Sequence, residues 1–448
     1  MGEAQLQNIE KKRVIERFGL EAIPNHLRTT TGLEYATIQI AISVNAGNVL
    51  VPALAVLEGG LSFFYAVLST VIGASLAFLF VSFLALPGAK YGIPAQYAIR
   101  SIMGVRGARY LASPVRTLTS LYWFSVQTIG GTYLLKEIIE RFAGIHVPFI
   151  PLALTMATIM AVLALIGFNA VKKVTKYFLP ILFVGGVVML YIFVTSAEMG
   201  MTLIDVWTKE GTNQLSTMFF FASLAFVQYI SGVSAASDMT RYAKSPKHGF
   251  LGLYLGNIIG FMLTAILGAY TATLAGSWNP YVISTQLTDS TLFIMIIFIA
   301  AIASMISINL ANAYIGGYSL LNSLPKLGRV QSAIIFGLVA IALSGFPSLV
   351  DEAKVFISLL GAFVIPLSAV IVSDFLFVKR RELSVEDFEG IVNESYHYNV
   401  KGFISIIIGM IIYLFLPESL SPGFITFAVT SLLYILLQNF PNEKAHLL

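Results

Sequence analysis

Trp123 and Gln127 lie four residues apart within a run of mostly apolar residues. In a helix this spacing places both side chains on one face. An indole ring can stack on a flat heteroaromatic ring, and a primary amide offers a hydrogen-bond donor and an acceptor to that ring's edge. The pair therefore has the chemistry to bind a planar, hydrogen-bonding ligand.

The other polar residues inside apolar runs are also neutral. Asn309 and Asn312 lie three residues apart and share a helix face, so they favour either a ligand contact or a hydrogen bond between helices. The remaining members of this set are Gln39, Asn45, Gln228, Tyr229 and Asn257. No ionisable residue lies near the middle of an apolar run, and a neutral ligand suits such surroundings better than a charged one.

The composition indicates a membrane protein. Of 448 residues, 57% are hydrophobic, 11% are charged and none is cysteine. Soluble domains carry about 25% charged residues, so this composition excludes a conventional soluble enzyme and a disordered protein. The absence of cysteine excludes disulfides, thiol catalysis and Cys-ligated metal sites.

Twelve apolar runs are long enough to predict membrane helices, which need about 20 mostly apolar residues. They cover 32–56, 60–87, 112–135, 148–169, 177–197, 216–236, 249–275, 290–318, 331–346, 354–378, 402–416 and 422–440. Because ionisable groups are missing from their centres, we exclude a membrane-embedded hydrolase or metalloenzyme. In a membrane helix, the alternative to ligand binding places Trp123 in the aromatic belt at the membrane interface and Gln127 in a hydrogen bond between helices.

The positions of the basic residues predict the orientation. If the N-terminus is cytoplasmic, only four of the 27 Lys and Arg fall in outer segments: Lys136, Arg141, Lys209 and Lys354. This bias is a strong positive-inside signal, so we expect a cell-membrane protein with both termini cytoplasmic. It also accounts for the basic residues without nucleic-acid binding. No oligomeric state is predicted.

The polar loop 379–401 divides ten predicted helices from two. Ten helices can form two inverted halves, 32–197 and 198–378, in which the first helix of each half is broken near mid-membrane. Small and polar residues surround Gly47 in the first helix and Gly232 in the sixth, which favours a break at both places, although glycine also permits close helix packing. The other predicted segments are the N-terminal segment 1–31, a final helix pair 402–440 and a tail 441–448.

Five motifs, in order along the chain, resemble the nucleobase–cation symporter-1 family. One of them is Tyr122–Thr128, YWFSVQT, which resembles the WFG-x-QT motif of that family's third helix. The others are YGIP at 91–94 with GVRG at 104–107, DMTRY at 238–242, WNP at 278–280, and SDF at 373–375 before the basic cluster KRR at 379–381. The similarity runs from about Thr31 to the C-terminus.

The resemblance implies a LeuT-like fold, all helical, with five helices, an inverted copy and two additional helices. It implies that Trp123 stacks on the substrate and that Gln127 binds the polar edge of the ring. It also places Asn312 on the eighth helix and Gln39 on the first beside the substrate. The resemblance also places Tyr229 where a sodium–hydantoin transporter of this family has a second stacking tryptophan, so the substrate need not be the same.

The resemblance also implies a sodium site, with one departure. The backbone carbonyls fall at Tyr35, Ile38 and Ala303, and the two hydroxyl ligands fall at Ile306 and Ser307. Ile306 supplies no oxygen, and a hard cation prefers a full oxygen shell. We therefore expect weakened sodium binding, with Ser304 or Asn309 as candidate substitutes, and leave proton coupling open.

The sequence thus predicts a secondary active transporter, not an enzyme. Its cargo would be a neutral nucleobase or related heterocycle of the cytosine, purine, uracil, allantoin or hydantoin type. It would be imported with a cation, Na⁺ being favoured, and no cofactor is expected. The alternatives are the same fold carrying another small solute such as an amino acid, proton-coupled nucleobase uptake, and a channel or receptor.

Overall fold

The computed structural model describes residues 21–45, 47–165, 168–195 and 202–439. Within these ranges the chain forms twelve principal helices, one for each predicted span, which we label α1 to α12. The first part of the predicted N-terminal segment, up to residue 20, and the tail 441–448 lie outside the described residues. The bounds are α1 Gly32–Ser43 with Leu50–Leu57, α2 Phe63–Leu84, α3 Ser113–Ala143, α4 Phe149–Ala164, α5 Phe168–Thr195, α6 Leu215–Ile230, α7 Pro246–Ala275, α8 Thr291–Ser323, α9 Arg329–Leu343, α10 Ala353–Ser373, α11 Val400–Phe415 and α12 Pro422–Gln438.

Both predicted helix breaks are confirmed. The two halves of α1 are separated by six residues, and the described ones among them, 44, 45 and 47–49, are not helical. After α6, a 3₁₀ turn at Ser231–Ser234 leads into a short helix, Ala236–Thr240. We call residues 44–49 the first break and residues 231–235 the second break.

Six of these helices, with their short extensions, are long and apolar enough to cross a membrane: α2, α5, α6, α7, α8 and α10. Four shorter apolar helices, α4, α9, α11 and α12, have 15 to 17 residues. The other two are the interrupted α1 and the 31-residue α3. The predicted third span stops at residue 135, whereas α3 continues to Ala143 as a polar end in which Lys136 and Glu140 form an ion pair of 3.6 Å.

Short helices in the connections were not anticipated from the apolar runs. They are Leu86–Tyr91, Ala95–Met103, Leu203–Thr208, Pro280–Gln286 and Val385–Val392. We call Ala95–Met103 the inner-loop helix, because it lies between α2 and α3 in a connection that we predict to be cytoplasmic. It begins after Pro94 and ends at Gly104, whose φ of +80° suits a residue without a side chain.

The twelve helices pack in groups. α1, α2, α6 and α7 contact one another through the pairs α1–α7, α2–α6 and α2–α7. α3, α4, α8 and α9 form a second group, with α5 packed along α8. α10, α11 and α12 pack together and contact α6 through α10 and α12. We call the first group the bundle and the second group the scaffold.

Glycine allows the closest approach inside the bundle. A side chain added at Gly73 of α2 would overlap the backbone carbonyl of Ala222 in α6. Small residues at such places let helix backbones approach and gain van der Waals contact, which is a main source of helix association in lipid. Gly186 of α5, in contrast, has open space around it.

We expect Gly73→Ala to destabilise the folded protein. The added methyl group must separate α2 from α6, and overpacking of this kind costs about 1–3 kcal/mol. Thermal unfolding of the detergent-purified protein measures this effect. Gly186→Ala is the matched control and should leave the melting temperature unchanged or slightly higher, because alanine favours a helix. Equal melting temperatures of the two variants would contradict the close packing.

Candidate functional site

The first break is held by side-chain amides. The Asn45 amide nitrogen donates to the carbonyls of Ile42 and Ser43, at 2.6 and 3.2 Å, and its oxygen accepts from the backbone N–H of Asn48 at 2.9 Å. From α3, the Gln127 amide nitrogen donates to the Asn45 side-chain oxygen at 2.6 Å, and its oxygen accepts from the N–H of Gly47 at 2.9 Å. Gln127 thus replaces helical hydrogen bonds that the break removes.

Gly47 is required by this arrangement. A side chain at position 47 would overlap the Gln127 amide. Glycine therefore lets the α3 amide reach the backbone of α1. The same residue was the sequence signal for the break, and the close approach supplies its physical reason.

Two further helices reach the first break. The Asn48 amide donates to the Ser43 carbonyl at 2.8 Å, and its oxygen accepts from the Gln228 amide of α6 at 3.3 Å. The Ser304 hydroxyl of α8 donates to the carbonyl of Val44 at 2.8 Å. The break is therefore tied to the scaffold through α3 and α8, and to α6 within the bundle.

α3 also contacts the second break. The Arg116 guanidinium donates to the Ser231 hydroxyl at 3.0 Å, and Arg116 is buried. Arg116, Trp123 and Gln127 recur at spacings of seven and four, so they share one face of α3. Trp123 thus lies between a residue bound to the second break and a residue bound to the first. Its ring is partly buried and packs edge-on against Tyr122, with ring centroids 5.0 Å apart.

Two hydrogen bonds set the register of α8 against α3. Asn309 donates to the Thr128 hydroxyl at 2.9 Å, and Asn322 donates to the Ser113 hydroxyl at 2.9 Å. The two helices are therefore antiparallel, and Asn312, one turn beyond Asn309, falls near the level of Trp123. Asn312 is buried, and its amide nitrogen has no hydrogen-bond partner among the described residues.

The Tyr229 ring packs between two phenylalanines of the bundle. Its centroid is 4.6 Å from that of Phe78 and 5.1 Å from that of Phe261. The Tyr229 hydroxyl is buried and has no hydrogen-bond partner among the described residues, and the same holds for the Gln228 side-chain oxygen. Gln39 is buried on the first half of α1, where Gly256 of α7 gives it room.

The predicted cation ligands lie on two neighbouring helices, α1 and α8. The Ser307 hydroxyl donates to the carbonyl of Ala303 at 2.9 Å, so these two predicted ligands are in contact. Tyr35 and Ile38 are buried in the first half of α1, and the Tyr35 hydroxyl donates to the Met239 carbonyl at 2.9 Å. Ser304, a candidate substitute ligand, instead faces Val44, and Asn309 faces Thr128.

A buried polar cluster lies between this region and the predicted cytoplasmic face. The Asp238 carboxylate accepts from the N–H of Ala95 at 2.8 Å. Burial raises the pKa of Asp238 to about 6, although three guanidinium groups oppose this shift: Arg241, Arg116 and Arg329.

In the described part of the chain, no group of three His, Cys, Asp or Glu side chains is placed to hold a metal ion. A sodium ion bound by carbonyls and hydroxyls would not require one.

Two cavities differ in size and position. One of about 10 Å³ lies behind Gln127, against Gly131, Tyr281 and Ser304, and it has room for about one water molecule. The other, of about 300 Å³, is lined by the α1–α2 turn, Lys209, Glu210 and the end of α7. The larger cavity is lined by none of the predicted substrate residues.

The residues 22–436 match the family model described as "Permease for cytosine/purines, uracil, thiamine, allantoin". The chain belongs to this permease family. It is 24% identical over 367 residues to a hydantoin permease of Microbacterium maritypicum, and the match covers 78% of this chain and 72% of that permease. It is also 24% identical over 363 residues to an allantoin permease of Bacillus subtilis, which covers 73% and 72% of the two chains.

Solved structures of similar shape confirm the LeuT-like fold. A nucleobase-cation-symport-1 family transporter, in a closed conformation with bromovinylhydantoin bound, superposes with a TM-score of 0.80 at 18% identity and covers 94% of both chains. A Na⁺-coupled sialic acid symporter has a TM-score of 0.57 at 15% identity and covers 92% of this chain and 91% of that one. The predicted membership of the nucleobase–cation symporter-1 family is confirmed as well.

Three residues of the permease bind the helix breaks without a predicted role there. Asn45 and Asn48 bind the first break, and Arg116 binds the second. From the sequence, Asn45 is predicted only as a polar residue inside an apolar run, and Arg116 carries no individual prediction. The signal for Arg116 was its spacing of seven from Trp123, which places it on the same helix face.

We expect Gln127→Ala to destabilise the permease even without a ligand. The change leaves the buried N–H of Gly47 and the Asn45 oxygen without their α3 partner, at a cost of about 1–3 kcal/mol. The melting temperature of the ligand-free protein measures this. Gln286→Ala, on the exposed surface, is the control and should melt like the unaltered protein. A Gln127→Ala variant that melts like the control would show that the first break holds without the amide.

Proposed function

We propose that the permease is a secondary active transporter that carries a neutral nucleobase or related heterocycle by cation symport. The observation that carries this proposal is the position of Trp123 on α3, between a residue bound to each helix break. A stacking surface and a hydrogen-bonding amide then lie beside the two places where backbone groups leave their helices. These are the elements that transporters of this architecture use to bind a substrate near mid-membrane.

Gln127 retains hydrogen-bonding capacity for a ligand while it holds the first break. A primary amide has two N–H groups and two oxygen lone pairs, and Gln127 uses one of each on Asn45 and Gly47. One donor and one acceptor remain for the edge of a heterocycle. Holding the break also restricts the amide's rotamer, so the ligand would meet an oriented group.

Unpartnered buried groups on α6 and α8 support a ligand in this region. The Asn312 nitrogen, the Gln228 oxygen and the Tyr229 hydroxyl are buried without hydrogen-bond partners among the described residues. Leaving such a group unsatisfied costs about 1–3 kcal/mol. Asn312 lies near the level of Trp123, and Gln228 contacts the first break, so a polar heterocycle would satisfy groups on both walls. In this proposal, Tyr229 supplies the opposite aromatic wall and Gln39 lies beside the site.

The relatives and the fold support a neutral cargo. The permeases to which the chain is similar are named for hydantoin and allantoin, which are uncharged compounds with a small ring that carries carbonyl and N–H groups. The predicted substrate residues Trp123, Gln127, Tyr229, Asn312 and Gln39 are likewise uncharged. Alternating access would follow from movement of the bundle against the scaffold, because the substrate residues are divided between the two groups.

Sodium is the coupling ion that we favour. The four predicted ligands, the carbonyls of Tyr35, Ile38 and Ala303 and the hydroxyl of Ser307, come from α1 and α8. These helices contact each other directly and both border the first break. A bound ion would therefore hold α8, which carries Asn312, against α1, whose break contains Asn45, the partner of Gln127. Ile306 leaves the oxygen shell one hydroxyl short, which favours weak rather than absent sodium binding.

We expect a nucleobase-like heterocycle to raise the melting temperature of the purified permease, since a ligand that binds only the folded state stabilises it. The panel is cytosine, uracil, hypoxanthine, allantoin and hydantoin, each measured in sodium and in choline buffer. Trp123→Ala should reduce the affinity for the active ligand by about 1–3 kcal/mol, or roughly 5- to 150-fold in Kd, through lost stacking. Trp207→Ala, at an exposed tryptophan outside the proposed site, should bind normally.

The melting-temperature shifts distinguish sodium coupling, proton coupling and an amino-acid cargo. A shift that grows in sodium supports sodium symport, and an equal shift in both buffers moves the coupling to protons. Stabilisation by amino acids and not by bases would favour an amino-acid cargo, whose carboxylate would bind at the broken-helix termini. Normal ligand binding by Trp123→Ala would place the site elsewhere.

We expect Ile306→Thr to strengthen sodium dependence, because it restores the hydroxyl next to Ser307. The sodium concentration for half-maximal ligand binding should fall by several-fold, as one added oxygen ligand completes the shell. Ile315→Thr, two and a half turns later on α8 and similarly half-buried, introduces the same group away from the site and is the control. An equal response of the two variants would contradict the proposed ion position.

A further inference from the structure

The two C-terminal helices α11 and α12 are bound to the connection between α2 and α3 by a buried chain of hydrogen bonds. The Asn399 amide, just before α11, donates to the Ile102 carbonyl at 2.9 Å and to the Tyr434 hydroxyl of α12 at 2.8 Å. The Tyr434 hydroxyl donates in turn to the Asp374 carboxylate, after α10, at 2.5 Å. Asn399, Tyr434 and Asp374 are all buried, so water competes little for these bonds.

The backbone strengthens the same contact. The N–H of Asn399 donates to the Met103 carbonyl at 3.0 Å, and the N–H of Val105 donates to the Tyr396 carbonyl at 2.8 Å. Gly104 lies so close that a side chain there would overlap His397. The last residues of the inner-loop helix are therefore fixed to the segment that leads into α11.

The loop after α10 adds a peripheral clamp. Lys90 donates to Glu382 at 2.6 Å, and this hydrogen bond lowers the pKa of Glu382. The Tyr91 ring packs edge-on against Phe388, with centroids 5.1 Å apart. An exposed ion pair contributes little stability, so the buried Asn399 contacts are the stronger part of the attachment.

The other end of the inner-loop helix joins the bundle to the scaffold. The Gln96 amide donates to the Ser234 carbonyl, in the second break, at 3.1 Å and to the Ser319 hydroxyl of α8 at 3.2 Å. The Ser113 hydroxyl of α3 donates to the Gln96 oxygen at 2.6 Å. If the bundle and the scaffold separate on this face, Gln96 must lose its hydrogen bond to Ser234 of the bundle or its hydrogen bonds to Ser319 and Ser113 of the scaffold.

Arg100 binds the inner-loop helix to the scaffold. Its guanidinium donates twice to the Asn322 side chain of α8, at 3.0 and 2.6 Å. Arg100 holds the C-terminal half of the inner-loop helix to the scaffold, and Asn399 holds it to the group of α10, α11 and α12. The bonds that yield on opening are then those to Ser234 and Asp238, and the helix stays with the scaffold.

We propose that Asn399 is a positioning residue, through which α11 and α12 hold the inner-loop helix and keep the predicted cytoplasmic face closed. This inference rests on the transport function proposed above. Loss of the amide contacts loosens the inner-loop helix, so Gln96 covers the second break less of the time. The fraction of molecules that are open on the predicted cytoplasmic face then rises, and the affinity for a ligand that binds from the outer face falls in proportion.

The test uses Asn399→Ser, which keeps a capping oxygen for the N–H of Gly402 but removes both donated amide bonds. Because the chain contains no cysteine, Ser234→Cys or Thr273→Cys supplies the only thiol in each protein. Ser234 reports on the predicted cytoplasmic side and Thr273 on the outer end of α7. The measured quantity is the rate of modification by N-ethylmaleimide without ligand, followed by mass spectrometry. Asn439→Ser, an exposed residue after α12, is the matched control.

We expect Asn399→Ser to raise the labelling rate at Ser234→Cys several-fold and to lower it at Thr273→Cys. Tyr434→Phe should act in the same direction, and the double variant should exceed neither single change by much, since both interrupt one chain of bonds. General loosening would instead raise labelling at both positions, and this result would overturn the positioning role. Equal labelling in Asn399→Ser and Asn439→Ser would overturn it as well.

The failure of the proposed transport function would look different. If none of the heterocycles changes the labelling rate at Ser234→Cys in a chain with Asn399 intact, the proposed cargo is wrong. The effect of Asn399→Ser in the absence of ligand does not depend on the cargo. The two hypotheses are therefore contradicted by different measurements.

Discussion

A helix interrupted inside a membrane protein must find partners for the backbone groups that it frees, because the hydrocarbon region offers none. Each unsatisfied group there costs several kcal/mol. At the first break, Asn45 and Asn48 of α1 and Gln127 of α3 satisfy these groups with side-chain amides. The position of α3 against α1, and with it the position of Trp123, depends on these contacts.

This constraint explains why α3 is central to the permease. One face of α3 binds the second break through Arg116 and the first through Gln127, while its neighbouring face pairs with α8 through Ser113 and Thr128. A regular helix is stiff, so these four contacts fix the spacing between the breaks. A stacking residue placed between them is held in position by the same contacts that stabilise the fold.

The sequence was sufficient to predict the helices and both breaks, because apolar length and paired glycines are local signals. It also located Trp123 and Gln127, whose spacing of four is visible in any helix. It was insufficient for the partners of Gln127, since Asn45 and Gly47 are some 80 residues away and many other amides were available. Whether a polar residue faces a ligand or another helix depends on long-range packing, which hydropathy does not encode.

The short inner-loop helix was missed for a related reason. Ala95–Met103 contains Gln96 and Arg100, so it interrupts the apolar pattern and reads as a polar connection. Both polar residues are nevertheless buried, because α3, α8 and the second break supply hydrogen-bond partners for them. A polar connection in a transporter can therefore be a packed element. Since it joins the bundle to the scaffold, its hydrogen bonds must change whenever the two groups separate. The cost of breaking them contributes to the barrier that keeps this face closed.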